Sequence, residues 1–476
     1  MIKSKLFLCL GLLFSATAFA QLDDQSRQLS HDIFKQLIEI NTTDSVGNVS
    51  TASEAMAERL RGAGFAESDI FIGGPTDRKK NLVVRLHGSG AHKPVLLIGH
   101  LDVVEARRED WTTDPFQFVE KDGFYYGRGT QDMKDGDAIM VTTLMRFKKD
   151  GYVPDRDIIL ALTADEEGGN YNGVDWLVKN HRDLIDAEIV LNTDDLTLWT
   201  HDGKPRMMQV IASEKIYSDY ELEATDPGGH SSLPKPDSPI YRLSRALARL
   251  QQYKFPFELN EVTRAYYERM ASTETGQRAA DIKAMLKRPP DKDAINRFSQ
   301  DLSENATLHT TCVATRVNAG HANNALPQRA DAIVNCRILP GHTREEIHES
   351  LVRVISDPAI AIKYVDSAGK ATASNAPPPI PIFTPHPMRP DVLKAVEKVT
   401  NEMWPGTPII PTMAQGASDG IYTSAAGMPT YIIAGVAVDL DDDREHGKDE
   451  RIGVDSFYQG LDFYYRFLKM VTSPGS

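Results

Sequence analysis

Helical periodicity opens the chain's folded pattern. Leu29, Ile33, Leu37 and Ile40 recur at helical spacing and predict a first amphipathic helix. Thr51 with Glu54 three residues later has the form of a capping box, predicting a second helix that stops near Gly62 and Gly64. Short apolar runs then alternate with helical patterns. Residues 81–86, 95–99, 157–163 and 188–192 read as strands, while Ile139, Met140, Leu144 and Phe147 mark one face of an intervening helix. Runs 95–99 and 157–163 are almost continuously apolar, as parallel strands buried on both faces are. The expected fold class is α/β, an open and mostly parallel sheet with helices on both faces.

Near residue 214 the texture changes. Residues 215–225 alternate polar with apolar side chains (Ile216, Tyr220, Leu222), as a half-exposed antiparallel strand does. A helix at 240–250, strands at 308–317 and 330–339, a helix at 344–355 and a strand at 360–365 complete the pattern. They predict an inserted α+β lid: a four-stranded antiparallel sheet with two helices on one face. Residues 258–305 are charged and helix-prone, an elaboration of that lid. The proline-rich run 375–390 reads as a rigid connector, followed by a helix at 391–403 and a buried strand at 431–438. The expected division is a leader at 1–20, a catalytic α/β domain at 21–213 and 371–476, and a lid and dimerisation domain at 214–370.

The leader has its own logic. Lys3 and Lys5 precede an apolar stretch at 6–14, and Ala18-Phe19-Ala20 supplies a small-x-small cleavage site. That is the pattern of a secretory signal peptide, so export to the periplasm or beyond is expected. The apolar stretch is too short for an anchor, and no later run approaches the ~20 residues a span needs, so no membrane anchor is expected after cleavage. Cys312 and Cys336 then remain, flanking the turn-like segment 323–327. A bridge between them is conceivable if the flanking segments pair as a hairpin, but two buried, unreacted thiols are the plainer expectation. The formal charge of −14, from 53 basic and 67 acidic side chains, disfavours a nucleic-acid or anionic-membrane binder, since both need a basic face.

Chemistry collects where the predicted strands end. Run 95–99 leads into His100-Leu101-Asp102, run 157–163 into Asp165-Glu166-Glu167, and run 188–192 into Asp194-Asp195. The strand at 431–438 runs into an acidic loop that reaches His446, and Asp132 sits before the helix at 133–149. Ligands of open α/β sheets bind beyond the carboxyl ends of the strands. Each residue alone has a plainer reading. Asp132 could be a helix N-cap, His100 a hydrogen-bonded core histidine, Asp102 a loop residue, Glu166-Glu167 a solvated pair, and His446 part of a salt-bridged surface. Together, so many carboxylates at one sheet edge would repel unless cations neutralise them. Carboxylate and imidazole donors suit zinc or a similar divalent metal.

This ordered set resembles the co-catalytic dizinc exopeptidases, a family that includes glutamate carboxypeptidase, carnosinase-type dipeptidases, aminoacylase and succinyl-diaminopimelate desuccinylase. The resemblance rests on His100-Leu101-Asp102, Gly129-Thr130-Gln131-Asp132-Met133-Lys134-Asp135-Gly136, Glu166-Glu167 and His446-Gly447. In the lid it extends to Gly228-Gly229-His230-Ser231-Ser232, Asn324-Ala325-Leu326-Pro327 and Arg337-Ile338-Leu339-Pro340-Gly341. It implies two divalent ions, Zn2+ first, with Co2+ or Mn2+ as alternatives. Asp132 would bridge them, His100 and Asp194 would complete one site, and Glu167 and His446 the other. Asp195 stays open as an alternative to Asp194, because this chain has Asn192-Thr193-Asp194-Asp195 where relatives often carry one glutamate.

The same resemblance implies the catalytic roles. The Asp102 carboxylate would hydrogen-bond the far nitrogen of His100. Glu166 would take a proton from the water between the two ions and pass it to the leaving amine. His230 would stabilise the oxyanion, reaching the neighbouring subunit's site in dimers. Arg337 and Asn324 are candidates for gripping a substrate carboxylate, with a structural ion pair as the other reading of Arg337. The implied activity is hydrolysis of peptide or N-acyl amide bonds in small peptides or N-acyl amino acids, with a possible homodimer through the lid. Two rivals remain open. Gly416-Ala417-Ser418-Asp419-Gly420 matches a serine-hydrolase elbow, with Asp439 and His446 to complete a triad, although the loop fits better as part of the substrate pocket. The other is a binding homologue that has lost the reaction.

Overall fold

The computed structural model describes residues 22–366, 369–372, 383 and 385–473. The leader at 1–20 and most of the proline-rich run therefore lie outside the described residues.

The first helix, Asp24–Glu39, starts at Asp23, whose carboxylate accepts the Ser26 amide, and buries Ile33, Phe34, Leu37 and Ile38. The second, Val49–Gly62, begins at Asn48 rather than at Thr51. Val49 and Ser50 are drawn into the core there, Ser53 Oγ donates to the Lys80 carbonyl, and Thr51 and Glu54 stay exposed. Burial of one more apolar position outweighs a cap worth about 1 kcal/mol.

A ten-stranded sheet forms the centre of the catalytic part. Val95–His100 lies between Ile158–Thr163 and Ile189–Asn192, parallel to both, and Thr430–Ile432 continues the parallel set beyond Ile189–Asn192. Their side chains alternate between two buried faces. Leu97, Leu160 and Leu191 pack with the helices Lys134–Lys149 and Val454–Val471, whereas Leu96, Ile98, Ile159 and Val190 pack with Leu177, Ile185 and Met428. The strand expected at 81–86 is observed as Lys79–Leu86, but it runs antiparallel to Ile158–Thr163 and forms an edge hairpin with Ile70–Thr76. The expected strand at 431–438 divides into Thr430–Ile432 and Ala437–Asp439. Gly435 sits between them at φ 70°, where an added Cβ would strike the Phe463 ring, leaving no room for a side chain.

The lid is a four-stranded antiparallel sheet in the order Thr311–Ala319, Arg329–Ile338, Ile216–Thr225, Ile360–Tyr364. Helices Pro239–Gln252 and Arg344–Ile355 cover one face, burying Tyr220, Leu222, Leu243, Val334 and Leu351. Cys312 and Cys336 are direct cross-strand partners with Cα atoms 4.1 Å apart, and they form a disulfide. The expectation of two free thiols fails because the strand register faces the sulfurs toward each other. Residues 258–308 fold into four helices around Tyr267, Ile282, Met285 and Phe298. This elaboration leans onto the catalytic part: Gln415 donates to the Ser303 carbonyl at 3.1 Å, and Asn260 Nδ2 reaches Met413 Sδ at 3.3 Å.

Candidate metal centre

Parallel pairing places the strand ends side by side. His100 is register partner to Thr163, and Asn192 pairs with both Ile98 and Ile432, so the loops after these strands share one edge. Each loop is then bent toward a common point. Asp194 is turned in by its amide's bond to Asn192 Oδ1 at 3.0 Å. Asp165 adopts φ 58°, with its buried carboxylate bonded to Lys79 Nζ, and so reverses the chain just before Glu166 and Glu167. Lys134–Lys149 approaches closely enough that a Cβ on Gly136 would strike Thr193.

The result is two donor groups that share one carboxylate. His100 Nε2 lies 3.0 Å from Asp132 Oδ1 and 3.3 Å from Asp194 Oδ1. His446 Nε2 lies 2.7 Å from Asp132 Oδ2 and 3.1 Å from Glu167 Oε2. Within each of the groups His100–Asp132–Asp194 and Asp132–Glu167–His446, the donor atoms fall within 4.8 Å of one another. Asp195 belongs to neither group, although it lines the same cleft.

Asp102 departs from the expected contact. Its backbone carbonyl, not its carboxylate, faces His100 Nδ1 at 3.0 Å, and the carboxylate oxygen is 3.8 Å away. A carbonyl can only accept, so Nδ1 carries the proton and Nε2 is left for the donor group. The Asp102 carboxylate turns instead to the amides of Glu166 and Glu167, at 3.2 and 3.0 Å. The backbone path after the strand points the carbonyl at the ring and leaves the side chain free to hold the neighbouring loop.

Electrostatics test whether this donor set fits cations. Burial, reinforced by the Asp194 charge, pushes the Glu166 carboxyl well above its ordinary range. Burial and then Asp132 push Glu167 up to about 7, and burial and then Asp194 push Asp195 up to about 8. Hydrogen bonds accepted by the Asp132 and Glu167 carboxylates raise His446 to about 11. For His100, burial disfavours charge, yet Asp194 and Asp132 outweigh it and hold the ring well above its usual value. Glu167 Oε1 is buried without a hydrogen-bond partner. This excess of negative charge, together with an orphaned carboxylate oxygen, fits a pair of divalent ions. Zinc and its neighbours take such mixed imidazole and carboxylate sets.

Both groups open onto a cleft of about 1260 Å³, bordered by Glu166 and by lid residues Tyr217, Arg337 and Arg344. The Arg337 guanidinium lies 4.7 Å over the Tyr217 ring. His230 and Asn324 do not line this cleft. They occupy a two-stranded ribbon on the lid, Gly229–His230 against Ala325–Leu326 and its preceding turn, where both are exposed. His230 Nδ1 is engaged by Ser232 Oγ at 2.7 Å. Within a single chain, therefore, neither reaches the donor groups.

Ser418 borders the cleft but is buried, accepting from Asn192 Nδ2 at 3.1 Å and from the Gly420 amide at 3.0 Å. The triad expected of a serine hydrolase is absent among the described residues: His446 is bound to Asp132 and Glu167, while Asp439 lies beside His201 and Asp441. Sequence reasoning missed Lys79, whose salt bridge to Asp165 supports the Glu166-Glu167 loop. A lone lysine at the start of a strand carries no pattern that would have marked it.

Residues 96–470 match the model of peptidase family M20/M25/M40. The chain belongs to that family. It is a hydrolase of the metallopeptidase class, and the serine-hydrolase reading is set aside. The chain is 28% identical over 398 residues to probable carboxypeptidase S-like 2 of Dictyostelium discoideum, covering 79% of this chain and 71% of that protein. It is 26% identical over 392 residues to the human N-fatty-acyl-amino acid synthase/hydrolase PM20D1, covering 79% and 74%. Its fold is similar to that of an M20 family metallo-carboxypeptidase from Sulfolobus solfataricus, with TM-score 0.68, 15% identity, and coverage of 93% and 99%.

Proposed function

We propose that this M20 enzyme is an exported hydrolase of peptide or N-acyl amide bonds in small substrates, working with two divalent ions, most simply Zn2+. The observation that carries the reading is the pair of donor groups joined at Asp132, with Glu166 in the same cleft. His100, Asp132 and Asp194 would hold one ion, and Asp132, Glu167 and His446 the other. Bound there, the ions would acidify a water and polarise the scissile carbonyl. Glu166 is in neither donor group, which leaves its carboxylate free to accept a proton and return it to the leaving nitrogen. Asp102 would keep the Glu166-Glu167 loop in place through its two amide bonds. Arg337 offers a guanidinium for a substrate carboxylate on the lid side of the cleft.

The leader supports export. The exposed ribbon carrying His230, and the edge strand Thr311–Ala319 with exposed Val313 and Val317, support a lid-to-lid dimer in which His230 serves the partner's site. Among the described residues no helix is long and apolar enough to cross a membrane.

The test is metal analysis of the purified chain, followed by a screen of dipeptides and N-acyl amino acids with free and blocked carboxyl ends. Two ions per chain and chelator-sensitive turnover are expected. Glu166→Gln should keep both ions and lose at least about 100-fold in kcat. Near-wild-type turnover in that variant would refute the role given to Glu166.

A further inference from the structure

Arg128 and Glu450 form an ion pair with almost no solvent exposure, 3% and 0%, between segments 322 residues apart. The further hydrogen bonds of each partner go to the backbone of a loop that carries a donor, and Arg128 Nε is buried without a partner. Glu450 Oε1 accepts the amides of Gln131 at 2.7 Å and Asp132 at 3.3 Å, and Oε2 accepts that of Gly129 at 3.2 Å. Arg128 Nη2 donates to the carbonyls of His446 at 3.2 Å and Gly447 at 3.0 Å. Trp111 closes over the guanidinium at 5.1 Å. The Gln131 side chain adds a further stitch by accepting the Arg444 amide at 2.8 Å.

We propose that the Arg128–Glu450 pair is a positioning device that sets the span between Asp132 and His446, and through it the geometry of both donor groups. This rests on the dinuclear reading above. A buried ion pair is a poor way to gain stability, because an apolar pair of similar volume often packs as well or better. What it can do is present a fork of donors to one loop and a fork of acceptors to the other. The loops carrying Asp132 and His446 leave the antiparallel pair Phe124–Tyr126 and Arg451–Gly453, and past the Gly127 amide's bond to the Glu450 carbonyl at 3.2 Å no backbone pairing joins them among the described residues, so the side-chain clasp sets their separation beyond that point. Partners behind metal ligands commonly govern affinity in this way.

The two halves make different predictions, because Arg128 holds the His446 loop while Glu450 holds Asp132, which both groups share. The full-length chain is stripped of metal, titrated with Zn2+ by calorimetry, and followed by amide hydrogen exchange over 127–133 and 444–450. Arg128→Lys should weaken one of the two ions by about 10–100-fold and leave the other. Glu450→Gln should weaken both and accelerate exchange at Gly129, Gln131 and Asp132. Arg156→Lys, in a comparable pair with Asp155 and Glu188 away from the donor loops, should leave both affinities unchanged. Should either single variant fail to fold, Arg128→Met combined with Glu450→Leu removes both charges together and should show the Glu450→Gln pattern.

Folded variants that bind both ions as the wild type does, with unchanged exchange, overturn the device. So does an equal loss of affinity in Arg156→Lys. A wild-type chain that takes up no Zn2+, while Glu450→Gln still speeds exchange at those three amides, defeats the dinuclear reading but leaves the clasp standing.

Discussion

Asp102 illustrates how a single residue divides its work between main chain and side chain. Its carbonyl fixes the proton of His100 on Nδ1, and its carboxylate holds the amides of Glu166 and Glu167. Asp102→Asn keeps the carbonyl but offers one acceptor oxygen instead of two, so one amide of the Glu166-Glu167 loop is left unpaired. The expected outcome is a loss of about 10–100-fold in activity or in affinity for the ion at Glu167, checked by steady-state kinetics beside metal titration. His100, Asp132, Glu166, Glu167, Asp194 and His446 were legible as candidates because they follow buried runs, precede a helix or lie in the loop beyond the last strand. The direction of the Asp102 side chain was not, since the folded path of the backbone beyond the strand decides it. That Asp194 rather than Asp195 lies with His100 and Asp132 is also a matter of folded geometry, its amide being bonded to Asn192 Oδ1.

At the scale of elements, periodicity carried most of the information. The lid strands and helices fall near their expected limits because their inward faces alternate cleanly, as in Ile216, Tyr220 and Leu222. Pairing direction is a different matter. Nothing in residues 81–86 distinguishes an antiparallel strand inside the sheet from a parallel one, because both are apolar when covered on two sides. The disulfide likewise depends on register, which the position of the cysteines on either side of segment 323–327 only suggested. With its cysteines 24 positions apart in sequence, its reduction should cost the lid about 2–4 kcal/mol. Denaturant unfolding with and without reductant measures this, and the Cys312→Ser and Cys336→Ser double variant should match the reduced protein.

For the whole molecule, the elaboration at 258–308 couples the lid to the catalytic sheet. His342, before Arg344–Ile355, contacts Glu258 at 2.8 Å and Glu346 at 3.0 Å. Burial works against its charged form, but the two glutamates prevail and raise the imidazole above its ordinary value. A raised folded value means this contribution is complete below about pH 6.5, the unfolded value, and is lost as pH rises through the folded one. Amide exchange of segment 258–308 should therefore quicken with rising pH beyond its intrinsic increase, and His342→Gln should remove that excess.

Assembly supplies a second test at this scale. His230 and Glu166 lie in different parts of one chain but would meet across a dimer. Mixing inactive His230→Ala and Glu166→Gln proteins should then restore up to about a quarter of the wild-type activity, one intact site arising in mixed dimers. Continued inactivity of the mixture, with exchange of subunits verified by mass, would set aside the shared site.

Hydrophobic period and strand-end chemistry were enough to specify an α/β sheet, an α+β insertion and an acid-and-imidazole cluster, because these depend on the face each segment buries and on the residues just beyond its end. The folded chain alone determined which strands run antiparallel, where the cysteines meet, and which atoms of Asp102, Arg128 and Glu450 face the donor loops. Those depend on contacts between segments as much as 322 residues apart, and no local pattern encodes how such segments approach each other.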